Sequence, residues 1–597
     1  MSAFRSGLAI IGINVGMYFS HISIFLTFFI FAASCTPANS TAETARNNEK
    51  LSGDYAAKEI PLPDDFSTDY DIMDSGGTLI PQQSAFQVYY YDLNFTIHPP
   101  DSSIAGNTAT YAQIVHPTDQ LVLDFDTTFA IESLHLKTNG QFNEKAEFQN
   151  RQGQLWIDAG KTLQPDDLIE LRINYEGRPR IAENPPWDGG FVWDYSSEGD
   201  PWIGVACQMN GANIWWPGKD HPSDRADSVS ISVTVPDDLV AASNGRSEGM
   251  RENDDGTATY DWFVSTPINN YGVTINIAPY TKLERKYESV TGEIIPIYFW
   301  ALPENADNAR GLMPQIMDQM RHFEEILGPY PFRADKYGVA EAPYFGMEHQ
   351  TLIAYGAGYR DDTTFDTGSG FDDLHHHELA HEWWANLVTN ADWKDFWIHE
   401  GFGTYMSPLY AEHLHGKEQY HHFMDSFRDQ IVNLQPVAGR TSKSTSEMYI
   451  GRDIYYKGAW MLHTLRYLVG EEKMMQSLRR MAYPDEAMEE VTDGSHTRYA
   501  SSNDYINLIE KLTGEDYSWF FDIYLYSADL PELVKEERDG QLFLNWDTPD
   551  DLPFEIPVEL VIDGQPDTRT IGREPVDVAD SGAEVIIDPD NWILREE

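Results

Sequence analysis

The sequence predicts a multi-domain α+β protein in which an N-terminal all-β domain precedes a helix-rich domain and a short C-terminal β region. Three observations predict this arrangement. Apolar residues alternate with period two from about residue 86, recur with helical spacing from about residue 308, and return to short strand patterns after residue 541. The chain has 597 residues, of which 41% are hydrophobic and 13% aromatic, so it can bury several cores.

The first domain is expected over residues 86–285, as a sandwich or a saddle of half-buried strands. Apolar and polar side chains alternate along each strand, which is typical of a sheet with one face on a core. Turn signals such as Ser243-Asn244-Gly245 separate the strands. The alternating apolar positions include Tyr91, Leu93, Phe95 and Ile97 in one segment and Val229, Ile231, Val233 and Val235 in another.

The helix-rich domain is expected over residues 286–530. Its first helix has one apolar face and ends at Gly328-Pro329, which cannot continue a helix. Residues 531–597 return to short strands, which predicts the C-terminal β region. The apolar face comprises Leu312, Ile316, Met320, Phe323 and Leu327, and later helices are predicted over residues 399–414, 419–433, 453–469 and 502–512.

The first 35 residues predict export. Apolar stretches end in Ala32-Ala33-Ser34-Cys35, which resembles a bacterial lipoprotein signal in which Cys35 carries the lipid. The alternative is an uncleaved transmembrane helix, and the start is Met1 or Met17. Residues 36–85 are rich in small polar residues and predict a tether. We therefore expect an exported, membrane-anchored lipoprotein on the periplasmic or outer-membrane side, in which Cys207 has no disulfide partner.

Acidic residues dominate the composition. There are 96 Asp and Glu against 41 Lys and Arg, which gives a net charge of −55 at pH 7. Binding to phosphate backbones needs clustered Lys and Arg, so a nucleic-acid partner is not expected. The same charge argues against electrostatic attraction to an anionic membrane face. The oligomeric state stays open at this stage.

A metal site is predicted from His377, Glu378 and His381, which form an HExxH motif, and from Glu400, which follows after a gap of 18 residues. On a helix, histidines four residues apart share one face and can reach one ion. A third ligand from a following helix leaves the fourth zinc position open, as in catalytic zinc sites. Structural zinc sites are closed and often cysteine-rich, whereas this chain has 2 cysteines.

Four sequence patches together resemble the zinc aminopeptidases that include aminopeptidase N and leukotriene hydrolase, a group of gluzincin metallopeptidases. The resemblance covers most of residues 86–530, and it implies a thermolysin-like catalytic domain with one zinc ion per chain. The patches are His377–Trp384 with Trp397–Phe402, the GxMEN-like Phe345–His349, the Y-x-K-G segment Tyr455–Gly458, and Cys207-Gln208 with the following Trp216-Pro217.

The resemblance assigns His377, His381 and Glu400 as zinc ligands. Zinc lowers the pKa of a bound water, and Glu378 is the expected general base on that zinc-bound water. Tyr455 is expected to donate a hydrogen bond to the oxyanion, a role worth about 10²–10³ in rate. Tyr456 is adjacent but lies one place off the family pattern.

The resemblance also implies an aminopeptidase. Glu348 would pair with the free α-amine of a peptide and so set cleavage one residue from the N-terminus. Gly346 and Met347 would present backbone to the substrate as an added strand does. Gln208 is a further candidate for holding the amine, with a packing role as its alternative. The expected partners are peptides with a free N-terminus.

The chain departs from the family pattern at several positions. Phe345 and His349 replace Gly and Asn of the exopeptidase motif, His399 replaces an Asn, and Ser407 stands where many members have an acid. These departures affect the expected substrate preference and metal affinity more than the reaction type. His375 and His376 lie next to the zinc motif, but helical register places them on other faces, so we expect structural roles for both.

Two alternative functions remain open from the sequence. The first is a gluzincin endopeptidase of the thermolysin kind, against which the presence of Glu348 argues. The second is a catalytically weak, surface-anchored binding protein with the same fold. Such proteins generally lose the base or a ligand, whereas His377, Glu378, His381 and Glu400 are all present.

Overall fold

The computed structural model describes residues 70–596. The predicted signal segment 1–35, the lipidation residue Cys35 and tether residues 36–69 lie outside the described residues. Within the described part of the chain, no helix has both the length and the apolar character needed to cross a membrane.

The N-terminal domain consists of strands preceded by one short helix. Its largest sheet has eight strands, in which β1 pairs in parallel with β12 and antiparallel with β2. In chain order the elements are α1 (Pro81–Ser84), β1 (Phe86–His98), β2 (Ser103–Ile114), β3 (Thr118–Asp124), β4 (Phe129–Thr138), β5 (Gln141–Phe142), β6 (Glu147–Arg151), β7 (Gln154–Leu163), β8 (Leu168–Gly177), β9 (Gly190–Tyr195), β10 (Pro201–Ala206), β11 (Arg225–Ala226), β12 (Ser228–Pro236), β13 (Val240–Ser243), β14 (Arg246–Glu252), β15 (Thr257–Val264), β16 (Ile268–Asn269) and β17 (Ile275–Ala278).

The eight-stranded sheet runs in the order β14-β15-β12-β1-β2-β8-β4-β5. Two further sheets, β3-β7-β6 and β13-β17-β10-β9, complete most of the domain. The predicted alternation is present in β12, where Val229, Ile231, Val233 and Val235 are all buried and the residues between them are partly exposed. The strand period therefore identified which face of this sheet meets the core.

The helix-rich domain begins with a strand pair and then alternates helices with short strands. Its elements are β18 (Thr281–Glu288), β19 (Ile294–Ala301), α2 (Ala306–Leu327), β20 (Tyr337–Glu341), β21 (Gly346–Met347), β22 (Ile353–Tyr355), α3 (Asp373–Ala380), β23 (Val388–Asn390), α4 (Trp397–His415), α5 (Lys417–Arg428), α6 (Thr445–Met448), α7 (Tyr456–Val469), α8 (Glu471–Ala482), β24 (Arg498–Ala500), α9 (Ser502–Thr513) and α10 (Ser518–Tyr524). On α2 the predicted apolar residues Ile316, Met320, Phe323 and Leu327 are fully buried, and Gly328 is the C-cap.

This domain contains a five-stranded sheet in the order β18-β19-β20-β22-β21. β21 is its edge strand and pairs antiparallel with β22. β18 belongs to this sheet, although the sequence prediction placed its first residues in the β domain, which was expected to end at residue 285. Period two continues across that boundary, so the sequence pattern does not show which sheet a strand joins.

The C-terminal region forms two three-stranded sheets, β25-β26-β29 and β28-β27-β30. Their strands are β25 (Glu532–Arg538), β26 (Gln541–Asp547), β27 (Ile556–Ile562), β28 (Gln565–Ile571), β29 (Val576–Asp580) and β30 (Val585–Ile587). The chain end returns to the helices. Tyr524 of α10 donates a hydrogen bond to the carbonyl of Leu594 at 2.7 Å, and Thr464 of α7 donates one to the carbonyl of Trp592 at 3.0 Å.

The predicted tether requires a correction, because residues 70–85 pack against the folded domains. The Tyr70 hydroxyl donates to Asp124 Oδ1 at 3.0 Å, and the Gln83 amide donates to Asp124 Oδ2 at 2.8 Å. Ser75 and Gln83 are both buried. A polar composition predicts a solvated segment, but it does not show that these polar side chains form hydrogen bonds with buried groups of the folded domains.

Candidate active site

Two consecutive helices of the catalytic domain bring the predicted metal ligands together. His377 lies on α3, His381 follows the last residue of that helix, and Glu400 lies in the first turn of α4. The Nε2 atoms of the two histidines are 3.1 Å apart. Glu400 Oε2 is 3.5 Å from Nε2 of His381 and 3.7 Å from Nε2 of His377. The ligand atoms of these three residues all lie within 4.8 Å of one another.

The surroundings of the three residues fit a cation. His381 Nδ1 lies 2.8 Å from the Trp384 carbonyl, an acceptor, so Nδ1 carries the proton and Nε2 presents its lone pair toward Glu400. Glu400 Oε2 is buried and has no hydrogen-bond donor among residues 70–596. A buried anionic oxygen without a donor is costly unless a cation faces it. Two imidazoles and one carboxylate are also a donor set that zinc accepts at a catalytic site.

Burial keeps the histidines neutral. It lowers the pKa of both His377 and His381 to about 4. Their ring nitrogens are therefore available to a metal at neutral pH, since a metal ligand must be deprotonated.

Glu378, Glu348 and Glu400 form a group of buried carboxylates around one cavity. Burial is the largest cause that raises the pKa of each, and the mutual repulsion of their charges raises the pKa of Glu378 and Glu348 further. Positive charge placed among these groups would therefore favour their ionised forms. A divalent metal on one side and an ammonium group on the other are the two cations that the arrangement suits.

Gln208 joins the metal side of the site to Glu348. Its amide donates a hydrogen bond to Glu348 Oε1 and another to Glu400 Oε1, the latter at 3.2 Å. Gln208 follows strand β10 of the N-terminal domain, so that domain contributes a polar group to the cavity. Tyr271 also reaches it from the N-terminal domain, and its hydroxyl donates to Glu348 Oε1 at 3.3 Å.

Tyr271 was missed by sequence reasoning. It follows β16 in an ordinary turn, and nothing in the local pattern marks it. Arg452 was also missed, although it lines the cavity. Tyr271 reaches Glu348 only through tertiary folding, whereas Arg452 lies three residues before Tyr455 and could have been found by its position next to that residue.

Tyr455 is the residue immediately before α7. Its ring centroid lies 6.3 Å from that of His377, and Tyr455 and Glu400 lie close enough that each changes the pKa of the other. Burial and the neighbouring negative charge raise the pKa of Tyr455 well above its ordinary value, so it stays a phenol that can donate a proton in a hydrogen bond. Tyr456 also lines the cavity, but its ring packs 5.3 Å from that of Phe427.

Gly346 and Met347 form edge strand β21 along the cavity. A Cβ atom on Gly346 would lie 2.7 Å from Glu378 Oε1, closer than real Cβ contacts come. Glycine at this position therefore lets the strand backbone approach Glu378. Leu374 of α3 packs on the same spot, so a side chain here would displace both Glu378 and Leu374.

These residues surround a cavity of about 270 Å³. Its wall combines the polar site with apolar side chains, as small-molecule and peptide sites commonly do. The lining contains every predicted zinc-ligand, catalytic and substrate-binding residue. It consists of Pro186, Trp187, Gln208, Phe345, Gly346, Met347, Glu348, Thr363, Thr364, Phe365, Leu374, His377, Glu378, His381, Glu400, Tyr449, Arg452, Tyr455 and Tyr456.

The extra histidines near the motif are structural, as their register predicted. His375 lies between Tyr337 and Gln319, with Nε2 2.8 Å from the tyrosine hydroxyl and Nδ1 2.5 Å from the glutamine oxygen. His376 stacks on Phe323, and its Nδ1 lies 3.2 Å from the Ser407 hydroxyl.

Two of the departures from the family pattern lie close to the site without lining it. His399 accepts a hydrogen bond from the Asn390 backbone at 3.0 Å, so it connects α4 to β23. His349 is fully buried, and burial lowers its pKa to about 3, which keeps it uncharged. Neither residue adds a cation to the cavity.

The fold and the two-histidine, one-glutamate site define a zinc metallopeptidase class. The sequence model described as "Peptidase family M1 domain" matches residues 315–524, and the one described as "Peptidase M1 N-terminal domain" matches residues 87–271. The two models cover both major domains of the described structure. The chain therefore belongs to peptidase family M1.

Curated relatives and solved structures agree with this assignment. The chain is 24% identical over 350 residues to leucine aminopeptidase 2 of Vanderwaltozyma polyspora, which covers 56% of this chain and 49% of the relative. It is 27% identical over 368 residues to human aminopeptidase N, which covers 56% of this chain and 36% of that protein. The chain thus spans about half the length, or less, of these relatives.

An M1 zinc metallopeptidase from Deinococcus radiodurans has the same fold. Its crystal structure superposes with a TM-score of 0.61 at 22% sequence identity, covering 77% of this chain and 98% of that chain. The family implies a zinc ion, and His377, His381 and Glu400 form the group that could hold it.

Proposed function

We propose that this protein is a zinc-dependent aminopeptidase that removes N-terminal residues from peptides. One observation supports it most: buried Glu348 shares a cavity with the metal-ligand group, and Gln208 hydrogen-bonds to both Glu348 and Glu400. An acidic group at a fixed place beside the metal suits a substrate with a free α-ammonium. The names of the relatives, leucine aminopeptidase and aminopeptidase N, support the same activity.

Glu348 is proposed to bind the substrate's α-ammonium. Its carboxylate is buried and held by donors from Gln208 and Tyr271, so it cannot turn away from the cavity without losing both hydrogen bonds. A charge-assisted hydrogen bond to an ammonium would place the first peptide bond next to the zinc ligands. The backbone of Gly346 and Met347 lies alongside and can pair with an extended peptide.

Glu378 is proposed as the general base. It follows His377 directly and lines the same cavity, and its Oε1 approaches the backbone of β21, where the substrate would lie. It would accept a proton from the attacking water and pass it to the leaving amine. A bound zinc would supply Lewis acidity toward the scissile carbonyl and make water a better nucleophile.

Tyr455 is proposed to stabilise the oxyanion that develops on the carbonyl. Its raised pKa keeps the phenolic proton in place, and its ring lies beside His377. A preorganised donor in a site shielded from water strengthens as the negative charge grows, which lowers the barrier rather than tightening substrate binding.

Substrate capping tests the proposed activity. Pairs of peptides that differ only in a free or an N-acetylated α-amine are incubated with the zinc-loaded protein, and products are identified by mass spectrometry. We expect loss of single N-terminal residues from the free peptide and little cleavage of the acetylated one. Equal cleavage of both would indicate the endopeptidase alternative, and no cleavage by a protein with stoichiometric zinc would indicate the binding-protein alternative.

We also propose that the chain is exported and anchored through a lipid on Cys35. The sequence pattern Ala32-Ala33-Ser34-Cys35 is the support. Expression of the full chain and of Cys35→Ser in a Gram-negative host with a radiolabelled fatty acid tests this. Label and membrane association in the wild type alone are expected. If the wild type takes up no fatty acid and associates with membranes as strongly as Cys35→Ser does, an uncleaved transmembrane helix is indicated instead.

A further inference from the structure

Residues 70–77, here named the strap, cross the junction between the N-terminal and catalytic domains. Ser75 at its centre is buried, and its hydroxyl donates to Asp220 Oδ1 of the N-terminal domain at 2.9 Å. The same hydroxyl accepts a hydrogen bond at 3.2 Å from the indole of Trp393, in the catalytic domain. One side chain of the strap thus hydrogen-bonds to both domains.

The strap holds the segment that follows Gln208. The Asn210 amide donates to the Met73 carbonyl at 2.6 Å, and the Ser75 backbone N–H donates to the Met209 carbonyl at 3.3 Å. These contacts begin one residue after the glutamine that bridges Glu348 and Glu400. A shift of the strap would therefore move the main chain next to Gln208.

The strap also holds α6, which leads to the catalytic tyrosine. Asp74 accepts hydrogen bonds from the Ser446 backbone at 2.9 Å and from the Ser446 hydroxyl at 2.7 Å. The Thr445 backbone donates to the Ser75 carbonyl at 3.0 Å. Tyr449 follows α6 directly, lines the cavity, and has its ring centroid 6.1 Å from that of Tyr455.

A third connection runs through Trp393. Its ring lies 5.8 Å from that of Tyr271, whose hydroxyl donates to Glu348. Gly76 has φ +84°, and a Cβ atom there would overlap the Trp393 indole, so the strap backbone lies directly on this ring. The strap therefore contacts the residue after Gln208, the helix that precedes Tyr449, and the indole that packs on Tyr271.

We propose that the strap is a positioning element of the active site, with Asp74 and Ser75 as its positioning residues. It sets the spacing between the Gln208 segment, which belongs to the N-terminal domain, and the 444–455 segment, which carries Tyr449 and Tyr455. These two segments supply the amine-side and oxyanion-side groups. They meet directly where the Thr445 hydroxyl donates to the Met209 carbonyl at 2.6 Å, and the strap adds hydrogen bonds to both of them. This inference rests on the proposed aminopeptidase function for its kinetic consequences, but its structural consequence can be measured independently.

Asp74→Ala is the primary test, because it removes the acceptor of both Ser446 hydrogen bonds without entering the cavity. Zinc-loaded full-length protein is assayed on an aminoacyl arylamide, and zinc content and Tm are measured in parallel. We expect kcat to fall by about 10- to 100-fold, because small misplacements of catalytic groups have effects of this size. Zinc content should stay at one per chain, since none of the three ligands contacts the strap.

Two further variants separate positioning from general stability. Asp71→Ala is the matched control, because Asp71 lies in the same strap, is exposed, and accepts its hydrogen bond from the Met73 backbone within the strap. Asp74→Asn keeps an oxygen acceptor, and we expect it to restore most of the lost kcat. Asp74→Ala should lower kcat by a much smaller factor in a Tyr455→Phe background than in the wild type, because both changes act through Tyr455.

Hydrogen exchange provides a readout that needs no activity. Amides of residues 445–458 should exchange faster in Asp74→Ala than in wild type and Asp71→Ala. Equal kcat and equal exchange in Asp74→Ala and Asp71→Ala would overturn the proposal, as would an undiminished effect in the Tyr455→Phe background. If residues 445–458 exchange faster in Asp74→Ala but the wild type hydrolyses no aminoacyl substrate, the proposed function is contradicted and the strap inference still stands.

Discussion

The metal side and the substrate side of this active site are built in different ways. The three candidate zinc ligands lie within 24 residues of one another, on α3, at its C-cap and in the first turn of α4, and the geometry of these elements brings them together. The groups around them come from separated places in the chain: Gln208, Glu348 and Tyr455 line the same cavity, and Tyr271 donates a hydrogen bond to Glu348. The metal side is therefore a nearly local structure, whereas the substrate side depends on how two domains meet.

This difference has a physical consequence. A local site tolerates displacement of distant segments, because its own backbone hydrogen bonds hold it. A site assembled from several segments responds to any change in their relative positions, and catalysis is sensitive to misplacements of about 1 Å. We therefore expect mutations on the metal side to act through chemistry or metal content, and mutations on the substrate side to divide between binding and turnover.

Glu378→Gln is expected to have the largest effect, and it tests the proposed general base. We expect kcat to fall by about 10²–10⁴-fold, because the amide cannot accept the proton of water. Zinc content should remain one per chain, since Glu378 is not among the three ligands. Metal analysis and kinetics on an aminoacyl arylamide measure both. Glu418→Gln, at an exposed position on α5, is the control.

Tyr455→Phe comes next and tests the oxyanion role on the substrate side. We expect a loss of about 10²–10³ in kcat with little change in KM, because the lost donor matters mainly in the transition state. Tyr456→Phe is the matched control, since its ring packs on Phe427. A larger loss in Tyr456→Phe than in Tyr455→Phe would exchange the roles of the two tyrosines.

Glu348→Ala should have the smallest effect of the three and should depend most on the substrate. We expect kcat/KM on free-amine substrates to fall by about 30-fold or more, as for truncation of one partner of a buried charge pair. The residual activity should no longer distinguish free from N-acetylated peptides. Glu348→Gln keeps the shape but not the charge and should resemble Glu348→Ala. If Glu348→Ala retains wild-type selectivity for the free amine, Glu348 does not bind the α-amine.

Much of the architecture was predictable because it follows from short-range periodicity. The buried faces of β12 and α2 match their sequence patterns. The four helices predicted over residues 399–414, 419–433, 453–469 and 502–512 begin and end within a few residues of α4, α5, α7 and α9, apart from a five-residue difference at the end of α5, whereas α6, α8 and α10 were not predicted. The boundary at residue 285 and the tether end at residue 85 were wrong in detail. In both cases the local pattern was interpreted correctly. Which sheet or surface the segment packs on, however, depends on the tertiary structure.

The sequence by itself determined the metal centre, because two histidines one helical turn apart and a glutamate on the next helix need only local geometry to converge. It also determined the fold class, through the two periods of apolar residues. Only the tertiary structure placed Tyr271 against Glu348, brought Gln208 between two carboxylates, and laid residues 70–77 across the domain junction. Those contacts join residues far apart in the chain, and their hydrogen bonds depend on the packing of whole domains, which no spacing rule along the sequence encodes.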